Sequence, residues 1–94
     1  MTILVADDEK EIADLVELYL KNEGYDIRKF HDGLSAWQDI QENPPDLAIL
    51  DVMMPGLDGF ALCQKIREKY NFPVIMLTAK VEGMDKINGL SLGA

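Results

Sequence analysis

Residues 46–60, DLAILDVMMPGLDGF, contain the features that decide the predicted fold. The apolar run at 47–50 (LAIL) is typical of a short strand buried on both faces, and it ends at Asp51. A loop rich in turn-forming residues follows at 54–59 (MPGLDG). Asp58 is a suitable N-cap for a helix that continues to about Lys69. The segment therefore predicts a strand, a loop and a helix in succession.

Further strands are predicted on both sides of this segment. The apolar runs at 2–6 (TILVA) and 74–77 (VIML) indicate two more buried strands. In residues 25–30 (YDIRKF) apolar and charged side chains alternate, which is typical of an edge strand. Helices are predicted between these strands, so the pattern indicates an α/β fold: a three-layer, doubly wound parallel sheet with helices on both faces.

The predicted helices cover residues 12–20, 34–42 and 83–92, in addition to the one that follows Asp58. Gly24, suited to the left-handed conformation, ends the first, and Pro44-Pro45 breaks the chain after the second. Helical spacing predicts that one face of the first helix is apolar, formed by Ile12, Leu15, Val16, Tyr19 and Leu20.

Polar side chains follow three of the predicted strands at their carboxyl ends, where parallel α/β sheets bind ligands. These residues are Asp7, Asp8, Glu9, Asp51 and Thr78. Carboxylates in close contact need a neutralising charge, and Mg²⁺ prefers oxygen ligands together with substrate phosphate. An aspartate at a rigid strand end can act as the nucleophile that forms an aspartyl-phosphate, and a hydroxyl can donate to the phosphoryl oxygens.

Each of these residues also has a plain structural interpretation. Asp7 or Asp8 can cap the first helix, and we expect one of them to do so. Asp51 can be a loop aspartate, and Thr78 an ordinary strand-end residue. Taken singly, the structural interpretation is favoured for each; taken together, three strand ends with matching chemistry favour a site.

Four motifs, ILVADDEKEI, DLAILDVMMPGLDGF, PVIMLTAK and GLSLGA, resemble the receiver domains of two-component response regulators over the whole chain. The similarity is greatest to the OmpR-like winged-helix class, which includes vancomycin-resistance regulators. The resemblance implies a flavodoxin-like receiver fold with strand order 2-1-3-4. It also implies a cytoplasmic, Mg²⁺-dependent switch that accepts a phosphoryl group from a sensor histidine kinase and controls an attached DNA-binding domain.

The resemblance also assigns roles to individual residues. Asp51 would be the phosphoacceptor and Thr78 the switch hydroxyl. Pro55 and Gly59 would shape the loop after the phosphoacceptor. The metal ligands would be Asp8 directly, Asp7 through water, Asp51, and the backbone carbonyl of Met53.

The family pattern continues beyond GLSLGA with a fifth strand that ends in a lysine, and with a fifth helix. These 94 residues do not contain them, so we expect residues 1–94 to form a C-terminally incomplete receiver domain without a DNA-binding domain. We then expect residues 74–77 to form an exposed apolar edge that promotes self-association. Phosphorylation should be impaired because the lysine charge is missing.

Composition limits the other functional classes. With 17 acidic and 9 basic residues the net charge is −8, which argues against nucleic-acid binding by this segment. No apolar run approaches the ~20 residues that a membrane span needs. The single cysteine, Cys63, excludes an internal disulfide, and we interpret it as a small buried hydrophobe. Trp37 is predicted to pack the second helix against its neighbours, and His31 to be a solvated turn residue.

Three other functional classes compete with a phosphoacceptor switch, which is not a conventional enzyme. A haloacid-dehalogenase-type phosphatase needs a second Asp where this chain has Met53. A nucleotide-binding fold needs a glycine-rich loop after the first strand, and VADDEKEI has no glycine. A pseudo-receiver that acts purely as an interaction module stays open, although the retained Asp51 and its acidic neighbours argue against it.

Overall fold

In the computed structural model, which describes residues 1–77, strands and helices alternate along the chain. The predicted helix at 83–92 lies outside this range. The elements are β1 (Thr2–Ala6), α1 (Lys10–Asn22), β2 (Asp26–Phe30), α2 (Gly33–Glu42), β3 (Leu47–Asp51), α3 (Gly59–Lys69) and β4 (Val74–Leu77). Each predicted element within the described residues is present, with ends that differ by no more than two residues from the sequence prediction.

The four strands form one parallel sheet in the order β2-β1-β3-β4, as predicted. β2 lies at the edge, which agrees with its charged, alternating sequence. β1 and β3 are the two inner strands, with Ala6 opposite Leu50, and β4 pairs with β3 so that Leu77 lies opposite Asp51. The carboxyl ends of these strands therefore meet at one edge of the sheet.

Alternate residues of the inner strands enter two separate apolar clusters. Leu4 and Leu50 face α2 and α3, whereas Val5 and Ile49 face α1. The sheet is thus the middle of three layers, as the continuous apolar runs predicted. Complete burial of one such side chain contributes about 1.5–3 kcal/mol to the free energy of unfolding, so side-chain packing is the main interaction that stabilises these short strands. Cys63, on α3, is buried in the first cluster, as predicted.

The apolar face predicted for α1 is only partly correct. Leu15 is 59% exposed and Tyr19 is 70% exposed, so neither contributes to the core. The helix instead contacts the sheet through Ala13, which is fully buried, and through the half-buried Val16 and Leu20. α1 therefore presents Ala13, Val16 and Leu20 to the sheet, and Leu15 and Tyr19 to solvent.

Charged residues of β2 attach the edge strand to the flanking helices. Lys29 forms ion pairs with Asp14 and with Glu17 of α1, the latter at 2.8 Å. Hydrogen bonding to Lys29 lowers the pKa of both carboxyl groups below their ordinary values. Arg28 pairs with Asp39 of α2 at 3.2 Å. These contacts explain why the edge strand carries two cations.

Three further local predictions, at Gly24, Asp58 and Trp37, are confirmed. Gly24, after α1, has a φ of +95°, in the left-handed region that glycine favours. Asp58 caps α3 by accepting a hydrogen bond from the Ala61 N–H at 2.8 Å. Trp37 packs against the core and meets Tyr70 edge-to-face at 6.4 Å between ring centroids. No helix within residues 1–77 is long and apolar enough to cross a membrane.

Candidate functional site

The sheet register brings together two acidic residues that are 44 positions apart in sequence. Since Ala6 lies opposite Leu50, the next residues, Asp7 and Asp51, are neighbours at the carboxyl ends of β1 and β3. They are 2% and 3% exposed, and they are the buried charged residues of the described chain. Asp8, the next residue, is exposed at the mouth of the site.

Asp7, Asp8 and Asp51 form one carboxylate cluster. One oxygen from each lies within 4.8 Å of the other two. Burial raises the pKa of Asp51 to about 7, with further contributions from the charge of Asp7 and from hydrogen bonds to Asp8 and Asp7. The Met53 N–H donates to the Asp51 carboxylate and opposes this rise. Three carboxylates held this closely favour a bound cation.

Asp7 is fixed by three hydrogen bonds, and the prediction that Asp7 or Asp8 caps α1 is wrong. Its N–H donates to the Phe30 carbonyl at 3.0 Å, and its Oδ1 accepts from the Glu9 N–H at 2.8 Å. The N-cap of α1 is Glu9, without a side-chain hydrogen bond, so neither Asp7 nor Asp8 is the cap. The hydrogen bond from the Glu9 N–H holds the Asp7 carboxylate in the turn before the helix, within the same cluster as Asp51.

His31 makes the third of these bonds, which sequence reasoning missed. Its Nδ1 lies 3.0 Å from the carbonyl oxygen of Asp7, and the side chain is half-buried rather than solvated as predicted. A usable signal exists in the sequence: His31 directly follows β2, the strand that pairs with β1, so it falls beside Asp7.

The loop between β3 and α3 has no room for a side chain at Gly59. A Cβ there would lie 2.2 Å from the backbone oxygen of Asp51. The Gly59 N–H donates to the Val52 carbonyl at 2.9 Å, and the Val52 N–H donates to the Leu77 carbonyl at 3.1 Å. Close backbone packing thus holds Asp51 between β4 and α3, which gives a physical reason for the loop-shaping role expected of Gly59.

A pocket of about 450 Å³ opens beside the carboxylate cluster. Its lining residues are Asp8, Met53, Met54, Pro55 and Asp58. Met53 is 57% exposed, so its side chain borders the entrance. The predicted site residue Thr78 lies outside the described residues, although Leu77, which precedes it, pairs with Asp51. The site therefore combines two buried carboxylates, those of Asp7 and Asp51, with a pocket that is open to solvent.

Comparison with known proteins identifies the family. Residues 3–94 match the family model described as the response regulator receiver domain. The chain belongs to this receiver domain family. The regulatory protein VanRc of Enterococcus gallinarum is 60% identical over 92 residues, which are 98% of this chain and 40% of that protein. As a receiver domain the chain is a signalling switch, related to regulators of the VanR type, and the phosphatase and nucleotide-binding alternatives are excluded.

Solved receiver domains have the same fold. The receiver domain of the Francisella response regulator 1452 is 38% identical and has a TM-score of 0.84, covering 99% of this chain and 78% of its own. The beryllofluoride-activated N-terminal receiver domain of Klebsiella pneumoniae RstA is 33% identical, also with a TM-score of 0.84, covering 100% and 80%. The chain spans about 40% of the length of the curated relatives it matches.

Proposed function

We propose that Asp51 is the phosphoacceptor of this receiver domain, and that Mg²⁺ is held by Asp7, Asp8, Asp51 and the backbone carbonyl of Met53. The carboxylate cluster carries the proposal, because two of its three members are buried and the pKa of Asp51 is raised to about 7. A pure interaction module has no need for buried carboxylates that repel each other. The pseudo-receiver alternative is therefore disfavoured.

The donor set fits Mg²⁺. The cluster offers only oxygen ligands, and the exposed position of Asp8 leaves the approach open to water and phosphate oxygens, which Mg²⁺ retains in most sites. A bound Mg²⁺ supplies positive charge that offsets the carboxylates and the incoming phosphoryl group. No soft ligand lies in the cluster of described residues, so a hard divalent cation is the best match.

Asp51 can then act as a nucleophile. One carboxylate oxygen forms a bond to phosphorus while the bond from phosphorus to the donor's leaving group breaks, which yields an acyl phosphate on Asp51. The close packing of Gly59 against the Asp51 backbone holds the acceptor still, and phosphoryl transfer depends mainly on such positioning. Thr78 is proposed to donate its hydroxyl to the transferred phosphoryl oxygens.

The physiological donor is proposed to be the phosphohistidine of a sensor histidine kinase. The phosphorylated receiver domain would control an attached DNA-binding domain, and through that domain transcription. This proposal agrees with the description of the VanR-type relatives as regulatory proteins. The protein is proposed to act in the cytoplasm. Net charge of −8 makes this segment a poor nucleic-acid ligand by itself. Self-association through the apolar β4 also stays a prediction, which sedimentation at low micromolar concentration would test.

Intact-mass spectrometry after incubation with acetyl phosphate tests the acceptor. We expect partial modification by one phosphoryl group in the presence of Mg²⁺, in keeping with the impairment expected above, little without Mg²⁺, and none on Asp51→Asn. Asp46→Asn, which alters an exposed acid at the opposite end of the sheet, is the matched control and should be modified like the wild type. Undiminished modification of Asp51→Asn would exclude this acceptor.

A phosphoryl analogue separates the switch from a pseudo-receiver without any transfer. Beryllofluoride activates the RstA receiver, so we expect it to bind this chain only when Mg²⁺ is present. Amide NMR shifts near Asp51 would report binding. An absence of shifts with beryllofluoride and Mg²⁺ together would favour the interaction module.

A further inference from the structure

His31 contacts the backbone of the carboxylate cluster and has no role in the proposed transfer. Its Nδ1 lies 3.0 Å from the carbonyl oxygen of Asp7. A carbonyl oxygen only accepts hydrogen bonds, so Nδ1 carries the hydrogen. Both the neutral Nδ1–H tautomer and the cation can donate from this atom. The contact therefore persists in either charge state of the ring.

The pairing of β1 with β2 explains why an imidazole donates at this point. The strands are parallel with Ala6 opposite Phe30, and the Asp7 N–H donates to the Phe30 carbonyl at 3.0 Å. If β2 continued, the next donor to the Asp7 carbonyl would be the N–H of Asp32. Asp32 instead caps α2, where its carboxylate accepts from the Ser35 N–H at 2.7 Å. The His31 side chain supplies the donor at the position where the strand has ended.

The Asp7 carbonyl belongs to the planar peptide group that joins Asp7 to Asp8, so a bond to this oxygen also orients the start of Asp8. The Asp7 carboxylate has its own anchor, the Glu9 N–H at 2.8 Å. Asp8 is exposed, so the direction of its backbone, rather than packing around its side chain, places its carboxylate. The peptide held by His31 therefore constrains where Asp8 points, together with the hydrogen bond between the Asp8 and Asp51 carboxyl groups.

We propose that His31 is a positioning residue for the metal site: by donating from Nδ1 to the Asp7 carbonyl, it holds the Asp7–Asp8 peptide so that the Asp8 carboxylate stays beside Asp51. This inference rests on the proposed function, because it takes the carboxylate cluster as the Mg²⁺ site. Partners that orient metal ligands in this way typically affect metal affinity by about 10–100-fold. His31 acts through a peptide group rather than on a ligand atom, so we expect roughly 3- to 10-fold, at or below the lower end of that range.

Two amide substitutions separate the two ring nitrogens of His31. In His31→Asn the side-chain nitrogen occupies the same position along the side chain as Nδ1, whereas in His31→Gln it corresponds to Nε2. We expect His31→Asn to bind Mg²⁺ close to the wild-type affinity, and His31→Gln to bind it roughly 3- to 10-fold more weakly. The affinity would be measured on the full chain by titrating Mg²⁺ alone and following amide NMR shifts.

A second readout needs no metal. In Mg²⁺-free protein, the Asp8 amide resonance should move in His31→Gln and return toward its wild-type position in His31→Asn. Asp46→Ala is the structural control, because Asp46 accepts a hydrogen bond from the Thr2 N–H at 2.7 Å at the opposite end of β1. It should lower the melting temperature and leave the Mg²⁺ affinity unchanged.

The outcomes distinguish this inference from the proposed function. If the wild-type chain does not bind Mg²⁺ at all, the proposed metal site fails, and the role of His31 fails with it. If the wild type binds and His31→Gln binds equally well, only the positioning role is overturned. Equal weakening by His31→Asn and His31→Gln, or by Asp46→Ala, would also overturn it, because the effect would not depend on a donor at Nδ1.

Discussion

Asp7 and Asp51 lie buried side by side at the ends of two adjacent parallel strands, and the negative charge of Asp7 helps to raise the pKa of Asp51 to about 7. Burial makes the larger contribution, because water no longer solvates the charged form. In the absence of a cation, this pair destabilises the fold at neutral pH. The buried pair therefore lowers the free energy of unfolding and forms a site that can bind a cation. The loss of stability can be measured.

The first prediction concerns pH in the absence of divalent cations. The ordinary pKa of Asp51 is 3.8 and its folded value is about 7, so the folded state binds the extra proton between these values. The stability contributed by Asp51 is thus fully present below the lower value and is lost as pH rises through the upper one. Urea unfolding with a chelator should show the free energy of unfolding falling by about 2 kcal/mol between roughly pH 5.5 and 7.

This pH interval isolates Asp51 from the ion pairs of the edge strand. The pKa values of Asp14 and Glu17 are lowered, so the stability they contribute is lost only as pH falls below their ordinary values of 3.8 and 4.5. In Asp51→Asn the decline between roughly pH 5.5 and 7 should disappear, whereas Asp46→Asn should retain it. An unchanged slope in Asp51→Asn would assign the titration to another group.

The second prediction concerns Mg²⁺. We expect weak binding, because a site with few protein ligands leaves most coordination to water and phosphate. Binding should depend more on Asp8, the proposed direct ligand, than on Asp7, which is proposed to act through water. Asp8→Ala should abolish the Mg²⁺-induced amide shifts near Asp51. The exposed neighbour Glu9 offers a matched control, and Glu9→Gln should keep them. Shifts that persist unchanged in Asp8→Ala would contradict the assigned metal role.

The third prediction concerns the glycine behind the phosphoacceptor. In Gly59→Ala the new Cβ would meet the Asp51 backbone oxygen at 2.2 Å, and backbone cannot move aside as a flexible side chain can. We expect a loss of about 2–3 kcal/mol in the free energy of unfolding, together with slower phosphorylation because Asp51 is displaced. Gly24 lies at an open position with a positive φ that asparagine tolerates, so Gly24→Asn should lower the free energy of unfolding much less. Similar losses in both variants would show that the close approach is unimportant.

The fourth prediction concerns the lifetime of the phosphorylated form. Met53 borders the entrance to the site and cannot orient a water molecule for attack on the phosphoryl group, so the aspartyl-phosphate should be long-lived. Met53→Asn introduces an amide that can hold such a water and should shorten the half-life several-fold, whereas Met53→Leu should not. Lys80, two residues after Thr78 in the sequence, lies outside the described residues, and Lys80→Glu is expected to shorten the half-life too, because a carboxylate at that position can hold a water. Decay followed by intact mass would test this, and an unaltered half-life in Met53→Asn would contradict it.

Local features of this chain were readable from the sequence because they depend on residues that are near one another along it. The apolar runs determined the strands of the sheet, and Asp58 determined where α3 begins, since capping involves a residue only three positions away. The alternation of strands and helices determined the parallel sheet. The clustering of Asp7, Asp8 and Asp51 was also predictable, because parallel strands bring their carboxyl ends to one edge.

Only the tertiary structure decided features that depend on distances between remote segments. The exposure of Leu15 and Tyr19 depends on which side of α1 faces the sheet, and helical periodicity alone does not separate them from the packed Val16 and Leu20. The raised pKa of Asp51 requires knowing how deeply the strand end is buried. His31 donates to the Asp7 carbonyl because β2 ends before the Asp32 N–H can make that hydrogen bond. Each is decided by packing across the sheet, which residues adjacent in sequence do not determine.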